Sequence, residues 1–284
     1  MYNFPIGVMI DSFRLPIKDA IAKAVSIGAA GFQMYCTYGE HSPENMTAAK
    51  IAEMNDMVRS NGLVISALCG DLGHGFGNAE KNPELIEKSK RIIDLAKELG
   101  TNVVTTHIGV VPNDPNHDRY KIMQAACYEL SRYADSIDAH FAIETGPETS
   151  ETLKTFLDAL DSTGVAVNLD PANLVMVTGD DPVKAVHNLK KYIVHTHAKD
   201  GIKLVDRDPE IIYGVTPMPE DMEKIDCFSE EPLGKGGVDF PAYLKALEEI
   251  GYKGFLTIER ECGDDPAKDI ACAADFLRDI IAKN

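Results

Sequence analysis

The sequence predicts an α/β fold, a single (β/α)₈ or TIM barrel domain spanning residues 1–284, and two observations predict it. Eight short β-type runs alternate with longer helical runs, which indicates a parallel sheet with right-handed crossovers. Eight such units in 284 residues fit a closed barrel, at the upper end of single-domain sizes. An open doubly wound sheet would usually bring a glycine-rich phosphate loop after its first strand, and Asp11-Ser12-Phe13-Arg14 is not one.

The individual elements follow from the spacing of apolar residues and from helix-stop signals. The eight predicted strands are Ile6–Ile10, Gly31–Tyr35, Val64–Leu68, Val103–Thr106, Phe141–Ile143, Val165–Leu169, Ile193–Thr196 and Phe255–Ile258. Apolar residues at helical spacing predict helices that include Ala48–Val58, Leu85–Leu99, Met123–Ala134 and Leu153–Leu160. Gly62, Gly100 and Gly251 each follow a periodic run and lead into the next strand, as glycines at helix ends do.

The segment from Gly201 to Asp239 departs from this alternation. It is long, rich in proline and acidic residues, and has no clear period. Connections of this length in a compact barrel usually have a function. We therefore expect this segment to cover the mouth of the barrel or to contact a second copy in a homo-oligomer.

Composition and charge narrow the function classes. The net charge of −17 at pH 7 repels phosphate backbones, so we expect a small sugar or polyol rather than nucleic acid as the partner. A phosphorylated substrate would need a local basic cluster. No run is long enough to span a bilayer and residues 1–10 lack a secretory signal, so a cytoplasmic protein without a membrane partner is expected. The six cysteines form no CxxC pair, which is typical of buried thiols.

Strand parity directs several polar side chains into the barrel, because alternate residues of a strand point to opposite faces. In the seventh strand, residues 193, 195 and 197 should share the inner face, with His197 at the C-terminal rim and His195 beneath it. The last strand turns Leu256 and Ile258 toward the helices and Thr257 inward. The ionisable side chains expected at the mouth, from five successive strands, are His107, Glu144, Asp170, His197 and Glu259.

These side chains predict a metal site when they are taken together. Singly, a carboxylate after a strand is more often a helix cap, and an inward histidine is more often a hydrogen-bonded core residue. Packed carboxylates repel one another and lose their hydration, so four such groups at one mouth indicate a cation. We predict one divalent ion bound by Glu144, Asp170, His197 and Glu259: Mn²⁺, with Mg²⁺, Co²⁺ or Zn²⁺ as alternatives. His195 either orients this site or fills the core.

From its fourth predicted strand to its end, the chain resembles the xylose isomerase-like barrel superfamily, and within it the sugar phosphate isomerase/epimerase branch. The residues that carry the resemblance are Thr106-His107-Ile108-Gly109, Phe141-Ala142-Ile143-Glu144, Asn168-Leu169-Asp170-Pro171-Ala172-Asn173, His195-Thr196-His197-Ala198-Lys199-Asp200, Leu233-Gly234-Lys235-Gly236-Gly237-Val238-Asp239-Phe240 and Thr257-Ile258-Glu259. The first third fits the architecture without a distinctive motif.

The resemblance implies roles for these residues. In ketose 3-epimerases of this superfamily the matching Glu, Asp, His and Glu hold one metal, and the two glutamates, here Glu144 and Glu259, exchange the substrate proton. The positions that usually hold the substrate differ: Asn173 stands where a histidine is expected, Lys203 where an arginine is expected, and Ser150 where a glutamate is expected. We expect substrate contacts from His107, Asn173, His195, Asp200 and Lys203.

Three functions remain open at this point. The leading hypothesis is a metal-dependent isomerase or epimerase of a sugar or cyclitol, in which two glutamates remove and return a proton next to a carbonyl. A lyase or dehydratase shares that first step, and a non-catalytic sugar- or metal-binding barrel would need no such pair. Endonuclease IV, the DNA repair branch, requires three zinc ions and more histidines, and Cys69 and Gly70 stand where its third strand would supply one.

Overall fold

The computed structural model describes residues 2–220 and 225–283. Eight parallel strands close into a barrel in the order β1-β10-β7-β6-β5-β4-β3-β2, which confirms the predicted fold. The barrel strands are β1 Ile6–Met9, β2 Gly31–Tyr35, β3 Val64–Cys69, β4 Val103–Thr106, β5 His140–Glu144, β6 Val165–Leu169, β7 Ile193–Ala198 and β10 Leu256–Ile258. All eight predicted strands are present, with ends that differ by at most two residues.

Helices surround the barrel. They are α1 Ile17–Ser26, α2 Ala48–Ser60, α3 Asn82–Glu98, α4 Asp118–Ser136, α5 Ser150–Asp158, α6 Pro171–Asn173, α7 Pro182–Leu189, α8 Pro209–Ile212, α9 Phe240–Glu249 and α10 Pro266–Lys283. Side-chain oxygens cap several of them; for example, Thr149 accepts from the backbone N–H of Thr152 and Asp181 from that of Val183. Within the described ranges, no helix is long and apolar enough to cross a membrane.

The barrel interior has a small apolar layer below its C-terminal mouth. Ala67, Val103, Ala142 and Ala166 form this layer, which we call the alanine–valine plug, and Val194 packs against it. The prediction that Ile193 shares the inner face is wrong. The pairing of β6 with β7 shifts register between Val167 and Asn168, so Val194 packs on the plug and Ile193 packs on the helix-side core.

The described parts of the long segment, residues 201–220 and 225–239, which we call the cover segment, fold over the mouth of the barrel. This segment contains an antiparallel hairpin of β8, Asp200–Lys203, and β9, Phe228–Glu231, with the short helix α8 between them. Tyr213, Phe228 and Glu230 from this segment line the cavity at the mouth. This position agrees with the expected cover, and the expected contact with a second copy stays a prediction.

Candidate active site

Four buried side chains meet at the C-terminal mouth, each from the end of a different strand. Ligand atoms of Glu144, Asp170, His197 and Glu259 all lie within 4.8 Å of one another. His197 Nδ1 lies 3.2 Å from Asp170 Oδ2, 3.4 Å from Glu259 Oε2 and 3.6 Å from Glu144 Oε1. The structure thus brings together the four residues that were predicted as ligands, because β5, β6, β7 and β10 end at one rim.

The chemistry of this cluster fits a divalent cation. Three carboxylates converge on one imidazole nitrogen, and none of the four side chains is more than 7% exposed. Burial alone would lower the pKa of His197, but Glu259, Glu144 and Asp170 outweigh it and raise this pKa to about 10. Such an excess of buried negative charge attracts a positive ion, and oxygen with imidazole donors suits a divalent metal. The cluster can therefore hold one divalent ion.

A glutamine of the first third orients the histidine. The Nε2 atom of His197 lies 2.9 Å from Gln33 Oε1, and Gln33 Nε2 donates to Thr105 Oγ1 at 2.8 Å. Since the amide oxygen can only accept, His197 donates to it from Nε2, and this contact turns Nδ1 toward the carboxylates. Gln33 is fully buried, and sequence reasoning missed it because β2 carries no motif.

His195 lies beneath the mouth and orients a carboxylate through an intermediate residue. Its Nδ1 lies 2.8 Å from Asn168 Oδ1, its Nε2 lies 2.9 Å from Thr257 Oγ1, and Asn168 donates to Glu144 Oε2 at 3.0 Å. Burial lowers the pKa of His195 well below its usual value, so the ring is neutral, with one donor and one acceptor nitrogen. The orienting role is therefore the better interpretation, and His195 does not line the cavity.

A cavity of about 510 Å³ opens above the cluster, within the usual volume of small-molecule sites. Two of the predicted substrate-binding residues line it, His107 and Asn173. Asn173 donates to Glu144 Oε1 at 3.2 Å, and His107 lies between Glu144 Oε1, 3.5 Å from Nε2, and Asp71 Oδ2, 3.3 Å from Nδ1. The cavity thus joins the cluster to side chains that can donate hydrogen bonds.

Asp200 does not reach this cavity. Its Oδ1 accepts from the backbone N–H groups of Gly201 at 2.9 Å and Val238 at 3.0 Å. Its Oδ2 accepts from those of Gly234 and Gly236, each at 2.9 Å. Both oxygens are engaged by the chain itself, so Asp200 fixes the loop of residues 234–238 against β8, and the structure gives no support to its predicted substrate contact.

Lys203 also lies outside the cavity lining. Its Nζ forms an ion pair with Asp206 Oδ1 at 2.6 Å, on the cover segment. The structure therefore gives no support to the predicted substrate contact of this lysine.

The sequence model of the family described as xylose isomerase-like TIM barrel matches residues 21–280. The chain belongs to the xylose isomerase-like TIM barrel family. An uncharacterised protein of Methanocaldococcus jannaschii is 23% identical over 255 residues, 85% of this chain and 78% of that protein. An inosose dehydratase of Lacticaseibacillus casei is 28% identical over 135 residues, which span 45% of this chain and only 41% of the dehydratase.

Solved structures show the same fold. A xylose isomerase domain protein from Planctomyces limnophilus has a TM-score of 0.78 at 23% identity, and the match covers 99% of this chain and 98% of that protein. The 3-keto-D-glucoside 4-epimerase of E. coli has a TM-score of 0.72 at 17% identity, and the match covers 97% of this chain and 99% of the epimerase. This member of the family therefore shares its architecture with sugar-modifying enzymes.

Lys199 is a buried cation in the cavity wall to which sequence reasoning assigned no role. Its Nζ donates to Glu259 Oε2 at 2.9 Å, also contacts Glu261, and lies 3.9 Å from Glu230 Oε2. Burial alone would lower its pKa, but these carboxylates and Asp170 hold the pKa well above its usual value. Strand parity could have found this residue, because position 199 follows 197 on the same face.

Proposed function

We propose that this chain is a metal-dependent isomerase or epimerase of a sugar or cyclitol, with Glu144 and Glu259 as its proton-transfer groups. One observation carries the proposal. Of the four cluster residues, Glu144 and Glu259 line the cavity, whereas Asp170 and His197 do not. A substrate in the cavity would therefore meet two carboxylates that also belong to the metal site. A binding protein would need no such pair.

We propose Mn²⁺ as the bound ion, with Mg²⁺, Co²⁺ and Zn²⁺ as alternatives. When bound, a divalent ion would polarise a carbonyl and an adjacent hydroxyl, which acidifies the hydrogen on the hydroxyl-bearing carbon next to the carbonyl. The chain's own groups then move the proton. One glutamate removes it and the other returns it, and the face of return decides which isomer forms.

The two glutamates have different surroundings, which supports different roles. Glu259 faces the ammonium of Lys199. Burial alone would raise the pKa of Glu259, but Lys199 and His197 outweigh it and hold this pKa below its usual value. Glu144 accepts from the amides of Asn168 and Asn173, and burial raises its pKa. We propose that Glu259 is the base that first takes the proton and that Glu144 is the group that supplies one.

A lyase is the second candidate, because the first proton abstraction is the same. The match to an inosose dehydratase favours it. Elimination also needs an acid for the departing hydroxyl, and His107 lines the cavity in contact with Asp71 and Glu144. The two candidates differ only after the carbon-bound proton has left.

Solvent exchange tests both candidates. The metal-loaded protein is incubated in D₂O with a panel of ketoses, cyclitol ketones and 3-keto-glycosides, and products are analysed by mass spectrometry and NMR. We expect deuterium next to the carbonyl in an isomeric product, lost in Glu144→Gln and kept in Glu98→Gln, an exposed glutamate at the end of α3. A product lighter by one water identifies the lyase, and a panel without any exchange contradicts the proposal.

A further inference from the structure

We propose that the substrate is an uncharged polyhydroxy ketone, without a phosphate or carboxylate group. The inference rests on the proposed function, and it adds the substrate class that the reaction leaves open. It comes from the charges around the cavity. Among the described residues that line it, five are carboxylates: Glu144, Asp226, Glu230, Glu259 and Glu261.

The positive groups of this lining are already paired. Lys199 contacts three of these carboxylates, with its Nζ at 2.9 Å from Glu259. His107 has Asp71 at one ring nitrogen and Glu144 at the other. Neither basic side chain presents a polar atom to the cavity that is free of a carboxylate.

The next cations outward are also engaged. Arg260 does not line the cavity, and its guanidinium lies 2.6 Å from Glu230 Oε1 and 2.9 Å from Asp269 Oδ2. Arg14 donates to the backbone carbonyl of Glu261 at 2.6 Å. Lys224 lies outside the described residues. In the described part of the chain, then, no basic cluster faces the cavity.

Hydroxyl groups suit this lining, and anions do not. Ionised carboxylates only accept hydrogen bonds, so they pair with the donors of a polyol. A phosphate or carboxylate has no donor to offer and would approach the carboxylates of Glu261 and Asp226 in this lining, where like charges cost affinity. Met9, Tyr35, Met176, Tyr213 and Phe228 supply the apolar part of the wall, against which the C–H groups of a polyol can pack.

Matched pairs of ligands test the inference. Calorimetry on the Mn²⁺-loaded protein compares D-fructose with D-fructose 6-phosphate and D-xylulose with D-xylulose 5-phosphate, at low and at physiological ionic strength. We expect the free compound to bind at least about 10-fold more tightly in each pair, because like-charge contacts are unfavourable. Salt should narrow the difference, since it screens the repulsion. Equal or tighter binding of a phosphate ester, or no binding by either member of both pairs, overturns the inference.

Two variants with the same charge change separate the lining from the net charge of −17. Glu261→Lys places a cation in the lining, and Glu98→Lys makes an equal change at the opposite end of the barrel. We expect Glu261→Lys to reduce the ratio of affinities between the free compound and its phosphate ester about 10-fold, because it replaces repulsion by attraction. Glu98→Lys should leave this ratio unchanged. Equal responses, or no response in either, overturn the inference. Selective binding of the free compounds without deuterium exchange would refute the proposed function alone.

Discussion

Two layers of the barrel's inner face differ in the size, polarity and charge of their side chains. The alanine–valine plug is made of small apolar side chains, whereas the rim above it carries buried charges. On β5, Ala142 and Glu144 are only two residues apart, and on β6 Ala166 stands two residues before Asn168. The same strands therefore serve both layers, and position along the strand decides whether a residue stabilises the barrel or takes part in chemistry.

The two layers also differ in what satisfies them. The plug needs only close packing, because it has no polar side-chain atoms to pair. The rim needs partners for every group: Gln33 for His197, Asn168 for Glu144 and Lys199 for Glu259. A change in the rim should therefore alter reactivity at nearly constant stability, and a change in the plug should do the reverse.

The largest expected effect is on turnover, from Glu144→Gln or Glu259→Gln. Each change keeps the shape of the side chain but removes a group that can take or supply the proton, and general acid–base catalysis contributes roughly 10²–10⁴-fold. We expect each single variant to lose at least that factor in kcat, measured by product formation and deuterium exchange. The double variant should lose less than the product of the two factors, because the pair acts as one unit.

Metal content is the control for this experiment. Gln can still offer an oxygen ligand, so elemental analysis should find metal in the variants that are compared. If Glu144→Gln retains its metal and turns over at nearly the wild-type rate, the two-carboxylate mechanism is wrong. His107 would then be the next base to test.

The two histidines of β7 give the next largest difference. The four-ligand arrangement predicts about one divalent ion per chain in the wild type. His197→Ala removes one of the four ligands, so we expect this variant to lose the ion. His195→Ala releases Asn168 and Thr257 but removes no ligand, and changes at such supporting positions cost about 10–100-fold in affinity or activity. Elemental analysis and thermal shift with added Mn²⁺ measure both. An empty site in His195→Ala alone would reverse the two assignments.

Strand parity was sufficient to predict which side chains the rim brings together, since strands of one barrel end at one mouth. Gln33 could not be found this way, because its contact with His197 depends on barrel closure across 164 residues of sequence. The surroundings of Asp200 could not be found from the sequence for a similar reason. Its environment is set by the loop of residues 234–238 and by the pairing of β8 with β9. Phe228–Glu231 has no alternation of apolar and polar residues that would predict a strand there.

Ala142→Leu tests the plug, where we expect stability to change and the active site to stay intact. Ala142 is fully buried in the plug, and overpacking a well-packed core costs about 1–3 kcal/mol. We expect a lower free energy of unfolding in denaturant titrations, with KM and metal content close to wild type. Ala159→Leu, a substitution at the exposed C-terminal end of α5, is the matched control and should be neutral. Lost metal at unchanged stability would show that the plug and rim are not separable.

The smallest effect on global stability is expected from Asp200→Asn, because its partners belong to the cover segment rather than to the barrel. The four backbone N–H groups around Asp200 need two accepting oxygens. Asn turns one of these oxygens into a donor that faces two other donors, and an unsatisfied buried group costs about 1–3 kcal/mol. That cost should appear locally, as faster amide exchange in Asp200–Lys203 and Phe228–Glu231, while β1 to β7 keep their protection. Because Phe228 and Glu230 line the cavity, KM should rise more than kcat falls. A fall in kcat at constant KM, with hairpin protection unchanged, would instead return Asp200 to the chemistry.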